Sequence, residues 1–339
     1  MKASFKKHIF FFKRPSGTSR GVLTEKYSWF IELVDEVNSS VKGIGECSVI
    51  PGLSPDFIDF ESYEKVLIKV CSNVDEYLSN LNLLDNYPSI LFGLETAFLD
   101  LKNGGNKIIF DNDFSKGQRK IPMNGLIWMG DSAYLLEQID QKLEEGYSCL
   151  KMKIGAIDFQ SELKVIESIR KRYSIKEVSL RVDANGAFSP AEAQDKLNQL
   201  ANFDIHSIEQ PIEVGQWEVM KNLCLNTKVP IALDEELIGI TQLSNKKELL
   251  EIIQPQYIIL KPSLHGGIKG CKEWINLCES MNIPWWMTSA LESNIGLNAV
   301  AQFTAEFSTN LPQGLGTGSL YINNIESNLR VENGMIFCR

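Results

Sequence analysis

Charged side chains stand at the ends of short apolar segments in the second half of the chain, where a buried strand would stop. They are Lys151 and Lys153, Asp183, Glu209, Asp234 and Lys261. A charged group is almost never buried alone, so these groups must neutralise one another or a bound ion. Three converging carboxylates repel one another without a cation, and hard oxygen ligands in that number suit Mg²⁺, with Mn²⁺ as a substitute. A structural salt-bridge cluster is the alternative interpretation.

Lysines beside such a metal site indicate a particular chemistry. A divalent ion on a substrate carboxylate stabilises the enediolate that forms when a proton leaves the neighbouring carbon. The base must be neutral, and a second lysine together with a metal ion lowers the pKa of a lysine. None of the three histidines, His8, His206 and His265, stands at a matching strand end, although His265 follows the sixth strand. The residues therefore favour proton abstraction by a lysine.

The elements that must position these residues alternate from about residue 121 onward. Strand-like segments lie near 121–127, 147–153, 178–183, 205–209, 230–234, 257–261, 284–288 and 312–315, with helical patterns between them. Alternation at this spacing is typical of a parallel α/β barrel. An open doubly wound sheet shows the same alternation, but no Gly-rich phosphate loop follows the first strand.

The two-residue period of a strand predicts which side chains point into such a barrel. In Leu150-Lys151-Met152-Lys153 the apolar pair should face the helices and both lysines should face inward. The same parity turns Arg181 and Asp183 inward, and it favours Asp234 over its neighbour Glu235. Because a barrel carries its chemistry at the carboxyl ends of its strands, these groups are predicted to meet there.

The N-terminal part of the chain has a different pattern. Residues 1–115 combine paired strands with helices and are predicted to form an α+β domain, completed by the tail 321–339. Residues 116–320 are predicted to form the barrel, after the polar stretch Asn103–Lys120.

The bulk composition excludes several classes of protein. The 339 residues carry a net charge of −9, which argues against a nucleic-acid partner. No apolar run approaches the length of a membrane span, and Ile9–Phe12 is too short for a signal peptide. The seven scattered cysteines contain no C-x-x-C pair, which fits a reducing cytoplasm. The oligomeric state is not indicated.

The order of these motifs resembles the enolase superfamily, in its muconate-lactonizing subgroup. The motifs that carry the resemblance are Lys151-x-Lys153, Asp183-x-Asn185, Glu209-Gln210-Pro211, Asp234-Glu235, Lys261-Pro262 and, in the N-terminal block, Gly43-x-Gly45-Glu46. The resemblance implies a (β/α)7β TIM-like barrel with an N-terminal α+β capping domain. It also implies Mg²⁺ on Asp183, Glu209 and Asp234, and a small carboxylate substrate.

Within this subgroup the chain looks most like the o-succinylbenzoate synthase family. The segments that carry this likeness are Arg14–Gly21, Leu180–Asn185, Ser289–Gly296 and Gln313–Thr317. The likeness implies a syn dehydration of 2-succinyl-6-hydroxy-2,4-cyclohexadiene-1-carboxylate to o-succinylbenzoate, in menaquinone biosynthesis.

The same likeness assigns roles to residues. Lys153 would be the base and then the acid, and Lys261 would stabilise the enediolate by its charge. The residues expected to contact substrate are Lys151, Arg181, Asn185, Ser289, Ala290, Leu291, Thr18 and Ser19. Of these, Ser289–Leu291 would meet the succinyl carboxylate, and the 14–21 loop would close over the ligand.

Other functions fit parts of the same sequence. An N-succinylamino acid racemase of the same superfamily would use Lys153 and Lys261 as opposed bases. A dipeptide epimerase would carry an Asp-x-Asp after the eighth strand, where this chain has Gly316-Thr317-Gly318-Ser319-Leu320. A Schiff-base lysine leaves the three carboxylates without a role, and the intact ligand set and both lysines argue against a catalytically silent binding protein.

Overall fold

The computed structural model describes residues 1–18, 21–36, 39–155 and 157–339, and at residues 17 and 18 the backbone only. Within these ranges no helix combines the length and the apolar character that crossing a membrane requires.

The N-terminal domain is a three-stranded antiparallel sheet covered by helices. Its strands are β1 (Lys2–Thr18), β2 (Gly21–Val34) and β3 (Lys42–Val49), in that order. The helices are α1 (Phe60–Ser72), α2 (Val74–Ser79) and α3 (Pro88–Lys102), with a short 3₁₀ turn at Leu81–Leu84. Trp29, Tyr63 and Leu67 lie in the apolar core between sheet and helices.

Two glycines of β3 allow α3 to pack directly on the strand backbone. A Cβ atom at Gly43 would lie 2.0 Å from the carbonyl oxygen of Ala97, and one at Gly45 would lie 1.9 Å from that of Gly93. No larger residue fits at either position. The Gly43-x-Gly45-Glu46 motif thus packs α3 on the two glycines, while the carboxylate of Glu46 accepts from the amides of Ser293 and Gly296.

A parallel barrel follows the N-terminal domain. Its strands are β5 (Gly125–Ile127), β6 (Cys149–Lys153), β7 (Ser179–Asp183), β8 (Ser207–Glu209), β9 (Ile231–Leu233), β10 (Tyr257–Leu260) and β11 (Trp285–Met287), after the short β4 (Ile121–Pro122). Its helices are α4 (Ser132–Glu144), α5 (Phe159–Arg172), α6 (Pro190–Leu200), α7 (Trp217–Asn226), α8 (Leu243–Ile253), α9 (Gly267–Met281) and α10 (Asn294–Thr304). Further 3₁₀ turns lie at Ala201–Phe203, Glu235–Leu237 and Gly316–Ser319. The seven strands pair in sequence order, as predicted for a barrel.

An irregular segment occupies the place of the eighth strand. Gln313 bridges Met123 and Gly314 bridges Thr288, both in parallel. The amide of Gln313 donates to the carbonyl of Pro122 over 2.8 Å, and that of Gly314 to Met287 over 2.8 Å. This segment joins the two edges of the sheet, which gives the (β/α)7β arrangement.

The C-terminal tail divides between the two parts of the molecule. Tyr321 bridges Phe12 of β1, and the amide of Ile322 donates to Phe11 over 2.9 Å. Beyond it, β12 (Leu329–Glu332) and β13 (Met335–Cys338) form a hairpin that pairs with β4 instead. The tail 321–339 was predicted to complete the N-terminal domain. Its first residues contact that domain, whereas its final hairpin pairs with β4, at the start of the predicted barrel region.

Strand parity divides the barrel core into two layers. Leu150, Met152, Leu180 and Val182 belong to the large apolar cluster between strands and helices. Inside the barrel, Ala232, Ile259 and Trp286 form a separate small cluster. The lysines and carboxylates lie above this inner layer.

Candidate active site

A cavity of about 420 Å³ lies between the carboxyl ends of the barrel strands and the N-terminal domain. From the barrel it is lined by Lys153, Asp183, Asn185, Glu235, Lys261 and Ser289, among others. The N-terminal domain contributes Lys13, Arg14, Ile50 and Leu53. Both domains are needed to enclose this space.

The sheet register brings the site residues to one level. Lys153 is paired with Asp183 across β6 and β7, and Asp183 with Glu209 across β7 and β8. Lys151 lies two residues lower but reaches up, where its Nζ is 2.9 Å from Asp183 Oδ2 and also pairs with Glu209 Oε2. The two carboxylates thus share one buried ammonium group.

Lys153 and Lys261 approach the cavity from strands that are separated by three others. Lys153 Nζ donates to Asp183 Oδ2 over 3.1 Å and to Asn185 Oδ1 over 2.6 Å. Lys261 Nζ donates to Asp234 Oδ2 over 2.5 Å. Both ammonium groups line the cavity, so a substrate there meets one lysine on each side.

Glu235 belongs to the site in a different way from Asp234. Asn185 Nδ2 donates to Glu235 Oε1 over 2.9 Å, which connects Lys153, Asn185 and Glu235 in one chain of hydrogen bonds. Glu235 lines the cavity, whereas Asp234 is fully buried against Lys261. Glu235 is therefore linked to Lys153 through Asn185, whereas Asp234 bonds directly to Lys261.

Burial and neighbouring charges shift the pKa values of the site residues, and which of the two effects is larger differs between residues. Burial lowers the pKa of Lys151, but the charges of Asp183 and Glu209 outweigh burial and raise it overall. Burial also lowers the pKa of Lys261, but the charges of Asp234 and Glu235 outweigh burial and raise this pKa overall. Burial is the main reason why the pKa of Glu209 is raised to about 7. The carboxylates around Lys151 and Lys261 thus favour the charged form of both lysines.

The carboxylates have the donor chemistry for a divalent cation. In each of Asp183, Glu209 and Asp234, one carboxylate oxygen forms an ion pair with a lysine. Glu209 Oε1 and Asp234 Oδ1 are buried and accept no hydrogen bond from the residues that the structure describes. With the lysines in these positions, the described residues contain no ready group of three or more metal ligands. Two buried carboxylate oxygens without a donor are nevertheless the kind of ligand that a hard cation binds.

Arg181 lies below the site rather than in it. It is fully buried, its Nη1 donates to the carbonyl of Pro312 over 2.8 Å, and its guanidinium carbon is 3.9 Å from the ring centroid of Trp286. It does not line the cavity. Parity correctly turned Arg181 inward, but it lies one layer below Asp183, and the structure does not bring it to the cavity where substrate contact was expected.

The segment after β11 reaches the cavity through Ser289, Ala290 and Leu291. Ser289 Oγ donates to Glu292 Oε2 over 2.5 Å and lies 2.7 Å from Thr317 Oγ1. Leu291 has a positive φ of 61°. The buried Glu292 was missed in the sequence, although Ser289-x-x-Glu292 has the spacing of a capping box.

The loop at 14–21 is only partly described. Arg14, Pro15 and Ser16 line the cavity. Ser19 lies outside the described residues, and so does the side chain of Thr18. Their predicted contact with substrate remains a prediction.

Comparison with known proteins places this architecture in a family. Residues 134–338 match the family described as Enolase C-terminal domain-like. An o-succinylbenzoate synthase of Desulfotalea psychrophila is 45% identical over 368 residues, covering 99% of this chain and 98% of that protein.

Solved structures agree with this placement. The crystal structure of MenC from Desulfotalea psychrophila LSv54 matches with a TM-score of 0.88 and 42% identity, over 99% of both chains. A dipeptide epimerase from Enterococcus faecalis V583, complexed with Mg and the dipeptide L-Leu-L-Tyr, has a TM-score of 0.86 at 17% identity, over 100% of this chain and 96% of that one. The second likeness shows the fold alone. With a relative of 45% identity over almost its whole length, the chain belongs to the enolase superfamily, in the family of the o-succinylbenzoate synthases.

Proposed function

We propose that this chain catalyses the syn dehydration of 2-succinyl-6-hydroxy-2,4-cyclohexadiene-1-carboxylate to o-succinylbenzoate, a step of menaquinone biosynthesis. The observation that carries the mechanism is the placement of Lys153 and Lys261 on opposite sides of one cavity, with Asp183, Glu209 and Asp234 between them. The close relative from Desulfotalea psychrophila supports the choice of reaction.

Lys153 performs both proton transfers in this proposal. As the neutral amine it removes the proton from the carbon that bears the ring carboxylate, and the electron pair becomes an enediolate. The resulting ammonium gives a proton to the hydroxyl group on the adjacent carbon, so the C–O bond breaks and water leaves. Because one group serves both steps, both bonds break on the same face of the ring, which accounts for the syn outcome.

Lys261 acts by charge. Its pKa is raised by Asp234 and Glu235, against the effect of burial, so it stays an ammonium group at neutral pH. Placed on the face of the substrate opposite Lys153, it stabilises the negative charge that develops on the carboxylate.

Asp183, Glu209 and Asp234 would hold Mg²⁺, or Mn²⁺ in its place, and this ion would supply positive charge beside the substrate carboxylate. Members of the superfamily use this combination of a lysine base and Mg²⁺. The free oxygens Glu209 Oε1 and Asp234 Oδ1 support this assignment.

The cavity also offers positive charge to a second anionic group. Lys13 and Arg14 line it from the N-terminal domain, on a chain whose overall charge is −9. Ser289, Ala290 and Leu291 lie on the barrel side and are our candidates for contact with the succinyl chain. These residues support a small dicarboxylate as substrate.

One observation favours a second activity. Lys261 faces the cavity as Lys153 does, and two opposed lysines are what racemisation of an N-succinylamino acid requires. A dipeptide epimerase is less well supported, because Gly316–Leu320 offers no aspartate for a substrate ammonium group.

A direct assay separates these functions. We expect the purified protein to form o-succinylbenzoate, to lose this activity with EDTA and to regain it with Mg²⁺. The same preparation is tested for racemisation of N-succinylamino acids. Turnover in the racemase assay alone would refute the proposed dehydration while leaving the fold and the lysine pair intact.

A further inference from the structure

The backbone of Lys261 is held on both sides by the turn that follows it. The carbonyl of Lys261 accepts from the amides of Leu264 and His265, over 2.8 and 2.9 Å. Its own amide donates to Nδ1 of the His265 ring over 3.0 Å. The backbone amide just after β10 therefore bonds to a side chain rather than to a neighbouring strand.

This contact determines the state of the His265 ring. An amide donates here, so Nδ1 must carry a lone pair and the proton of a neutral ring must sit on Nε2. The residue is only 3% exposed, and burial lowers the pKa of His265 to about 3, so the ring is neutral at physiological pH. His265 does not line the substrate cavity.

We propose that His265 is a positioning residue that fixes the backbone of Lys261 through its Nδ1 lone pair. This inference rests on the proposed function, in which the ammonium group of Lys261 stabilises the enediolate. A lysine side chain has four flexible methylene groups, so its ammonium group is placed well only when its backbone is fixed. Misplacement of a catalytic group by about 1 Å can cost about 100-fold in rate.

The ring has no other anchor among the parts of the chain that the structure describes. His265 Nε2 is buried without a hydrogen-bond partner. The ring borders a second cavity of about 140 Å³, between residues 85–88 of the N-terminal domain and the start of α9. Since the one hydrogen bond of the ring to the described residues goes to Lys261, replacing His265 tests that bond with little other disturbance.

Two substitutions of similar size distinguish positioning from packing. His265→Asn keeps an acceptor at the place of Nδ1, whereas His265→Leu fills a similar volume without one. We expect His265→Leu to lower kcat about 10- to 100-fold while KM changes less than about threefold. His265→Asn should recover kcat to within about fivefold of the wild type, although both variants lose the ring.

His206→Leu serves as the matched control, because His206 is half-buried at the opposite end of β8 and contacts Ser207 rather than the cavity. Its kcat should equal that of the wild type. Equal kcat values for His265→Leu and His265→Asn, whether high or low, would overturn the proposal.

A second measurement is independent of activity. The chain has three histidines, so ¹⁵N-histidine labelling gives three ring systems, which His206→Leu and a His8→Leu variant assign by elimination. We expect His265 to show the neutral tautomer with the proton on Nε2 at pH 7. A proton on Nδ1 would refute the inference, and because this readout needs no substrate, it stands apart from any failure of the proposed dehydration.

Discussion

At the scale of single residues, the three lysines of the site have the same side chain but different neighbours. Lys151 bridges two carboxylates, Asp183 and Glu209, and is nearly buried. Lys153 contacts one carboxylate and the neutral amide of Asn185. Loss of a proton from Lys151 would remove the ion pair of the buried Glu209 and leave Asp183 paired with Lys153 alone, which is costly. Lys153 gives up less ion pairing, and this is a physical reason to assign it as the base.

Replacement of this residue tests the assignment. Lys153→Ala should abolish dehydration, with a loss of at least about 10³-fold, because general acid–base catalysis typically contributes 10²- to 10⁴-fold and one group serves two steps. Mg²⁺ should still bind, as measured by calorimetry, since the carboxylates remain.

Lys153→Arg is the informative companion variant, because a guanidinium keeps the positive charge but does not lose its proton in a protein. It should be as inactive as Lys153→Ala. Lys171→Ala, in an exposed pair with Glu167, should leave kcat unchanged. Substantial turnover by either Lys153 variant would refute its role as base.

At the scale of elements, strand parity could be predicted because alternation is a local property of the backbone. It correctly placed Leu150 and Met152 against the helices and both lysines inward. The hydrogen bonds from Lys153 through Asn185 to Glu235 could not be predicted in this way. Asn185 has a φ of 44°, which breaks the alternation just beyond the strand end.

The loop after β3 is held in place by a buried carboxylate of its own. Ile50 and Leu53 line the cavity, and a few residues later Asp56 Oδ2 accepts from the amide and the hydroxyl of Ser89, over 2.9 and 2.6 Å. Ser89 lies in the first turn of α3. Asp56 thus connects the loop that lines the cavity to α3.

This carboxylate gives the protein a specific pH dependence. Burial raises the pKa of Asp56 from 3.8 to about 6. Between these values the folded state keeps a proton that the unfolded chain has lost, so the contribution to stability falls as pH rises from about 4 to about 6. A shift of about two units corresponds to about 3 kcal/mol.

Asp56→Asn removes the titrating group but keeps an acceptor for Ser89. The difference between the free energies of unfolding of variant and wild type, measured in denaturant, should grow in favour of the variant by about 2 kcal/mol from pH 4 to pH 6.5. A constant difference over this range would show that Asp56 does not titrate as inferred.

At the scale of the whole molecule, the two domains form one enclosed site. Barrel order and the capping domain could be predicted from periodicity and from the resemblance, but the path of the tail could not. Tyr321 packs on Phe10 and Phe12, while β13 pairs with β4. Both contacts join residues about 200 or more positions apart, and no local pattern specifies such a pairing.

Two carboxylates of the N-terminal domain reach across the interface to helices of the barrel. Glu46 accepts from the amides of Ser293 and Gly296 at the start of α10, over 3.0 and 2.9 Å. Glu95 accepts from the amides of Ile268 and Lys269 at the start of α9, over 2.6 and 3.0 Å. The free amides at a helix N-terminus favour a carboxylate. These two helices follow the strands whose ends carry Lys261 and Ser289.

The Glu46 contact should therefore govern both stability and substrate binding. Glu46 is fully buried and also lies 3.4 Å from the buried Lys26. Glu46→Gln leaves Lys26 without its charged partner, and breaking a buried ion pair typically costs about 3–5 kcal/mol. We expect a lower melting temperature and a raised KM, because Arg14 and Leu53 belong to the loosened domain.

Adding Lys26→Met should restore part of the melting temperature, whereas Glu61→Gln, in an exposed pair with Lys65, should change neither quantity. A Glu46→Gln variant with wild-type melting temperature and KM would show that the domains are held together without this carboxylate.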